Sequence, residues 1–149
     1  MSGHGSGDFG IRNAQQLIDE YRTEEFELDR PLIMITVGRS YFEERRDLYD
    51  SVRGIWRISK KKAERYDLVL AQSRGIVLGA FRPTVWVEAT RENFPRLPND
   101  EPKRCGFIGE RASPDVCARY ENKRVPERFR ARGAANPVRF VEFPAAPEE

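Results

Sequence analysis

Apolar positions cluster in short runs along this chain, and their spacing predicts its elements. Leu32 to Val37 (LIMITV) is an apolar run of strand length bounded by Pro31 and Gly38, the pattern of a strand buried on both faces. Asp67 to Gln72 and Ile76 to Val87 flank Ser73-Arg74-Gly75 and predict a hairpin. Gly75 supplies the positive φ that a tight connection needs, and Val69, Ile76, Val77, Val85 and Val87 favour a pleated surface. Arg104 to Arg111 (RCGFIGER) reads as a further strand, and Val138 to Phe143 (VRFVEF) alternates as a closing one.

Helical spacing appears in three places. Asn13 can cap a segment carrying Ala14, Leu17, Ile18 and Tyr21 on one side, running to about Thr23. Phe42 to Trp56 brings Leu48, Tyr49, Val52, Ile55 and Trp56 to one face. Gly54 costs about 1 kcal/mol relative to alanine in a helix interior, so this helix can stop there and leave Ile55 to Ile58 as a short strand. Ser113 caps a third helix with Pro114 in its first turn and Val116, Cys117 and Tyr120 inward, a good start signal. Lys60 to Lys62 leads into a brief helical turn, and Arg91 to Lys103, with three prolines, reads as a long surface loop. The mixture predicts an α+β fold: a small, strongly curved or barrel-like mixed sheet of about five strands with three helices. Residues 1–12 read as a flexible tail and 13–143 as one domain, with 13–30 its N-terminal helix and acidic linker. Residues 144–149 read as a C-terminal tail.

Composition narrows the chemistry. The 149 residues are 39% hydrophobic and 34% charged, as expected of a single soluble domain. No apolar run approaches membrane-spanning length and no charged-then-apolar leader opens the chain, so the expected location is the cytoplasm. The single histidine, His4, falls in the tail, and Cys105 and Cys117 are the only cysteines. A Cys/His zinc site and histidine-based acid–base catalysis in the folded body are therefore excluded. A Cys105–Cys117 disulfide is geometrically open, but two free thiols are the preferred reading.

Charge comes in blocks. Residues 1–30 carry about −4, residues 39–82 about +5 and residues 103–139 about +6, a split that sets an acidic entry against two basic stretches. The acidic entry reads as a solvated linker, with internal counter-charging of the body as the other reading. Arginine greatly outnumbers lysine, and guanidinium groups suit planar, bidentate recognition of phosphate or carboxylate.

Phosphate-loop and dinucleotide fingerprints are absent. Glu88, Glu110 and Asp67 are the only carboxylates on or beside predicted strands that could converge on a metal, and no lysine stands at a short fixed spacing from them. The stronger pattern is aromatic residues interleaved with basic ones: Tyr41, Trp56, Tyr66, Phe81, Trp86 and Phe107 among Arg39, Arg53, Arg57, Arg74 and Arg82. Aromatic faces stack on bases while arginines take phosphates.

The succession Trp56, Asp67-Leu-Val-Leu-Ala, Gly75-Ile-Val-Leu-Gly79 and Phe81 resembles the PUA-like superfamily, especially its EVE and ASCH branches, over residues 32–88. Tyr66 stands where that family's "GD-x-V" strand has its glycine, and the Gly-x-Lys-x-x-Glu-x-Arg motif of ASCH domains is missing. The resemblance implies a small barrel with an aromatic-lined cleft for RNA or modified DNA bases. The resulting expectation is a non-enzymatic nucleic-acid-binding module without cofactor or metal. Its contacts would be Arg39, Ser40, Tyr41, Arg53, Trp56, Arg57, Lys60, Lys61, Lys62, Arg74 and Trp86. Two alternatives stay open. One is a small histidine-free nuclease or nucleotide hydrolase using Arg39, Tyr41, Glu43 and Glu88 as catalytic groups. The other is an interaction module whose basic face meets an acidic protein. Oligomeric state is left open.

Overall fold

A computed structural model describes residues 23–43, 47–130 and 137–144. The helix expected from Asn13 lies almost wholly outside them. In chain order the elements are β1 (Leu32–Thr36), α1 (Arg39–Glu43), α2 (Leu48–Val52), α3 (Lys60–Ala63), β2 (Val69–Ser73), β3 (Ile76–Ala89), β4 (Glu101–Arg111), α4 (Pro114–Tyr120), a 3₁₀ turn (Glu127–Phe129) and β5 (Val138–Val141).

The five strands form one mixed sheet in the order β4-β3-β2-β1-β5. β1 runs parallel to β2, with Ile33 opposite Val69 and Thr36 opposite Gln72; every other neighbouring pair is antiparallel. Parallel neighbours cannot be joined by a tight turn, so residues 37–68 form a crossover carrying α1, α2 and α3. The hairpin expectation holds. Arg74 (φ 54°) and Gly75 (φ 84°) both take the left-handed conformation, the requirement of a two-residue turn that follows the twist of its strands. A Cβ at Gly75 would also stand 2.8 Å from Arg130 Nη2.

Two separate cores explain why β1 is apolar from Leu32 to Ile35. Leu32 and Met34 join Phe26, Leu68, Leu70, Val77, Tyr120, Val125 and Phe129 on the α4 side. Ile33, Ile35 and Val37 join Val52, Ala63, Tyr66, Val69, Phe81, Trp86, Cys105 and Phe107 on the crossover side. The barrel expectation is corrected: among the described residues nothing pairs β4 with β5, so the sheet stays open. Register breaks at Pro83/Val85 and Glu88/Ala89 interrupt the long β3–β4 pair, and such bulges bend a strand without closing a sheet.

Of the helix expected over 42–56, the described residues show the end of α1 at Glu43 and α2 from Leu48 to Val52, capped by Asp47, whose Oδ2 accepts from Asp50 N at 3.4 Å. The helix ends before Gly54, the alternative the sequence offered, and Trp56 makes a strand-like bridge. Beyond Val52 the chain extends along the outer side of β4. Trp56 and Cys105 exchange both backbone hydrogen bonds (2.8 and 2.9 Å), and Phe107 N donates to Arg53 O at 2.6 Å. Gly54 and Gly106 make this approach possible, because a Cβ on Gly106 would fall 2.3 Å from Arg53 O.

Ser113 caps α4 as expected, its Oγ accepting from Val116 N at 3.4 Å. The two cysteines are free, and they belong to cores on opposite faces of the sheet, so no bridge joins them.

Candidate functional site

The residues singled out in the sequence separate into two groups. Arg39, Ser40 and Tyr41 open α1, just past the end of β1, and Arg74 sits in the turn that ends β2. Those two strand ends are neighbours, since Val37 N donates to Gln72 O at 3.0 Å. Tyr41 is half-buried and meets Phe42 edge-on at 4.8 Å. The second group, Arg53, Trp56, Arg57 and Lys60 to Lys62, follows the outer side of β4 and turns into β2 from its opposite end.

Trp86 is withdrawn as a stacking surface. It is 3% exposed and packs 5.2 Å from Phe107 in the crossover-side core. Trp56 is part-buried, and its indole Nε1 donates to Val52 O at 2.8 Å, which fixes the ring against α2. The two tryptophans do not form one exposed concavity.

Of the catalytic alternative, Arg39, Tyr41 and Glu43 share α1. Glu43 lies on α1, whereas Glu88 follows Val77, the partner of Gln72, by eleven residues of β3, about 35 Å of extended strand. Glu88 pairs in register with Cys105, and Glu110 with Arg82. Among the described residues, no three His, Cys, Asp or Glu side chains are placed to hold a metal ion.

Charge is most concentrated around α3. Ser59 Oγ caps this one-turn helix by accepting from Lys62 N at 3.2 Å. Lys60 pairs with Glu64 at 3.0 Å. The Lys62 ammonium lies 4.3 Å from the centre of the Phe140 ring. Arg57, Lys61 and Arg65 are exposed, and their side chains make no ion pair or hydrogen bond among the described residues. Tyr66 anchors the segment beneath them: its ring packs 5.2 Å from Phe140 and its hydroxyl donates to Glu142. Burial, and then that carboxylate, push the Tyr66 phenol up to about 12.

In the other basic stretch, the cations of residues 119–124 are paired by the chain itself. Glu24 pairs with Lys123 at 3.0 Å, Glu25 with Arg124 at 3.1 Å and Asp29 with Arg119 at 3.2 Å. A backbone bridge between Glu25 and Arg124 holds this acidic segment in place, so it is a docked counter-charge rather than a solvated linker. The Arg30 guanidinium holds the Asp29 carboxyl below its ordinary range, against the opposing effect of burial, and Tyr120 and Arg119 add to the lowering. Tyr120 OH donates to Asp29 Oδ1 at 2.5 Å, and burial first, then Asp29, push this phenol up to about 12. Burial likewise raises both thiols, making them poor nucleophiles at neutral pH.

Arg53 has a different environment. Its guanidinium lies 4.6 Å from the Phe94 ring centre and 5.8 Å from that of Tyr49. Its Nε is buried without a hydrogen-bond partner, as is Trp86 Nε1. Tyr49, Phe94, Arg65 and Phe140 are not among the site residues expected from sequence. For Phe94 a signal existed: one aromatic residue inside a proline-rich loop is out of place unless something holds it, and here it is buried.

No protein family, curated protein or solved structure matches the chain.

Proposed function

We propose that this chain is a non-enzymatic nucleic-acid-binding domain that contacts the phosphate backbone of RNA or DNA through Arg57 to Arg65. One observation carries the reading: five cations fall within this short segment, and among the described residues only Lys60 of the five has a carboxylate partner. Its contrast with residues 119–124, where the acidic segment covers the cations, supports the choice of face. Unpaired lysine and arginine on a rigid support cost little to bring to a polyanion, and binding is driven by counter-ion release. The part-exposed ring of Phe140 beneath Lys62 adds an aromatic surface beside the charge, a combination suited to single strands.

Fluorescence anisotropy with labelled single-stranded and duplex oligonucleotides tests the reading. Four phosphate contacts give a log–log salt slope of about −3 on a single strand, a loss of roughly 50-fold in affinity between about 50 and 200 mM salt. Lys61→Ala with Arg65→Ala should halve the single-strand slope, lowering it by about 1.5. Affinity independent of salt, or unchanged in the double variant, removes the proposal.

A further inference from the structure

Arg53 differs from the other arginines that face solvent. Its side chain makes no ion pair and no hydrogen bond among the described residues, and its Nε is sealed from water without an acceptor. A guanidinium in that state is held by ring faces alone, Phe94 on one contact and Tyr49 on the other. Those rings are themselves fixed. Phe94 closes a loop through Phe94 N to Thr90 O at 2.7 Å, and Tyr49 accepts Gly109 N–H on its hydroxyl oxygen at 3.0 Å. The aromatic packing is continuous: Tyr49 lies 5.9 Å and Trp86 5.2 Å from Phe107. The backbone under Arg53 is equally constrained, its carbonyl accepting from Phe107 N and its neighbour Gly54 pressed against Gly106. A cation held against two rings, with no carboxylate or hydrogen-bond acceptor among the described residues, keeps its terminal N–H groups for an anion.

We infer that Arg53 is a binding site for one phosphate group, taken end-on by the guanidinium. The inference rests on the proposed function in assigning that phosphate to a nucleic-acid strand running from Arg53 along Arg57 to the α3 lysines. The receptor itself does not need the strand. Planar donors held by stacking pay less conformational entropy per bond formed than a free lysine, and a charge-assisted fork to phosphate is the stronger class of hydrogen bond.

The test uses the full chain and inorganic phosphate as probe, with sodium chloride and sodium acetate at matched ionic strength as references. Thermal unfolding in phosphate should show a saturable rise in Tm of about 3–6 °C at tenfold the dissociation constant, absent in chloride and smaller in acetate. Arg53→Met should abolish the rise, and Arg53→Lys, which keeps charge and stem, should weaken it several-fold; ³¹P line broadening reads the same binding on whichever variant is folded. No phosphate-specific rise in the wild-type chain, an equal rise in acetate, or an equal rise in Arg53→Lys overturns the site. Oligonucleotide titration separates the two proposals. Phosphate binding without oligonucleotide binding keeps the receptor and removes the proposed function. Oligonucleotide binding whose salt slope is unaltered in Arg53→Lys and Arg53→Met keeps the function and removes the receptor, since each lost phosphate contact lowers that slope by about 1.

Discussion

Gly106→Ala probes the contact on which the crossover's exit depends. A Cβ at this position would meet Arg53 O at 2.3 Å, Phe94 Cζ at 2.6 Å and Gly54 Cα at 3.0 Å. Two of these are backbone atoms, and unstrained separations are roughly a further 1 Å out. Arg53 O must therefore withdraw, and its 2.6 Å bond from Phe107 N stretches past hydrogen-bonding range. Phe107 is fully buried, and an unsatisfied buried donor costs about 1–3 kcal/mol. Weakening of the Trp56–Cys105 pair two residues along brings the expected loss to about 3 kcal/mol, a large share of the roughly 5–15 kcal/mol that holds a domain together. In a chain of this length that is a fall in Tm of about 6–12 °C. The control is Gly38→Ala, where no heavy atom lies within 4 Å of the new carbon; its effect should stay within about 0.5 kcal/mol. Urea unfolding followed by tryptophan fluorescence, with calorimetry alongside, measures both. Intrinsic strand preference favours alanine over glycine, so a Gly106→Ala chain as stable as the Gly38→Ala chain would refute the close-approach argument outright.

Two pH dependences follow from the phenols and from Asp29. The Tyr66 and Tyr120 values are raised to about 12 in the folded chain from an ordinary 10.0, so their contributions are complete below pH 10 and are lost as pH climbs toward 12. Tyr120→Phe should flatten the alkaline fall in stability measured by urea unfolding; an unchanged slope contradicts the assignment. Asp29 is lowered from 3.8, so its contribution is present above that value and disappears as pH drops through the folded value beneath it. Asp29→Asn should therefore reduce stability at pH 7 and make the acid limb shallower, and a parallel shift of the whole curve would contradict it.

The elements read correctly were those whose signal is local. The two-faced burial of β1 is written in its uninterrupted apolar run, the hairpin in Arg74-Gly75, and α4 in Ser113-Pro114. What escaped depends on distant partners. Gly54 marks locally where the helix can stop, but nothing near it announces that it must lie against Gly106. Val85, Trp86 and Val87 are all apolar, so alternation alone does not say that Trp86 points inward while Val85 is 45% exposed. The acidic segment resembles a linker until Glu25 is seen bridging to Arg124. The cation-rich segment was legible as composition; which of its members lack partners was not, because that depends on where Glu64 and Glu142 end up.

The position of β1 has a consequence for how the chain is made. Its two neighbours in the sheet are Val69–Ser73, reached only after the crossover, and Val138–Val141, which follows nearly the whole remaining domain. During synthesis LIMIT emerges early, greasy on both sides, and waits for its last companion until everything between has been translated. Long-range pairing of this kind is slow and leaves sticky intermediates. Translation halted before Pro137 would leave that strand half-clothed, the natural handhold for a chaperone or for another nascent copy.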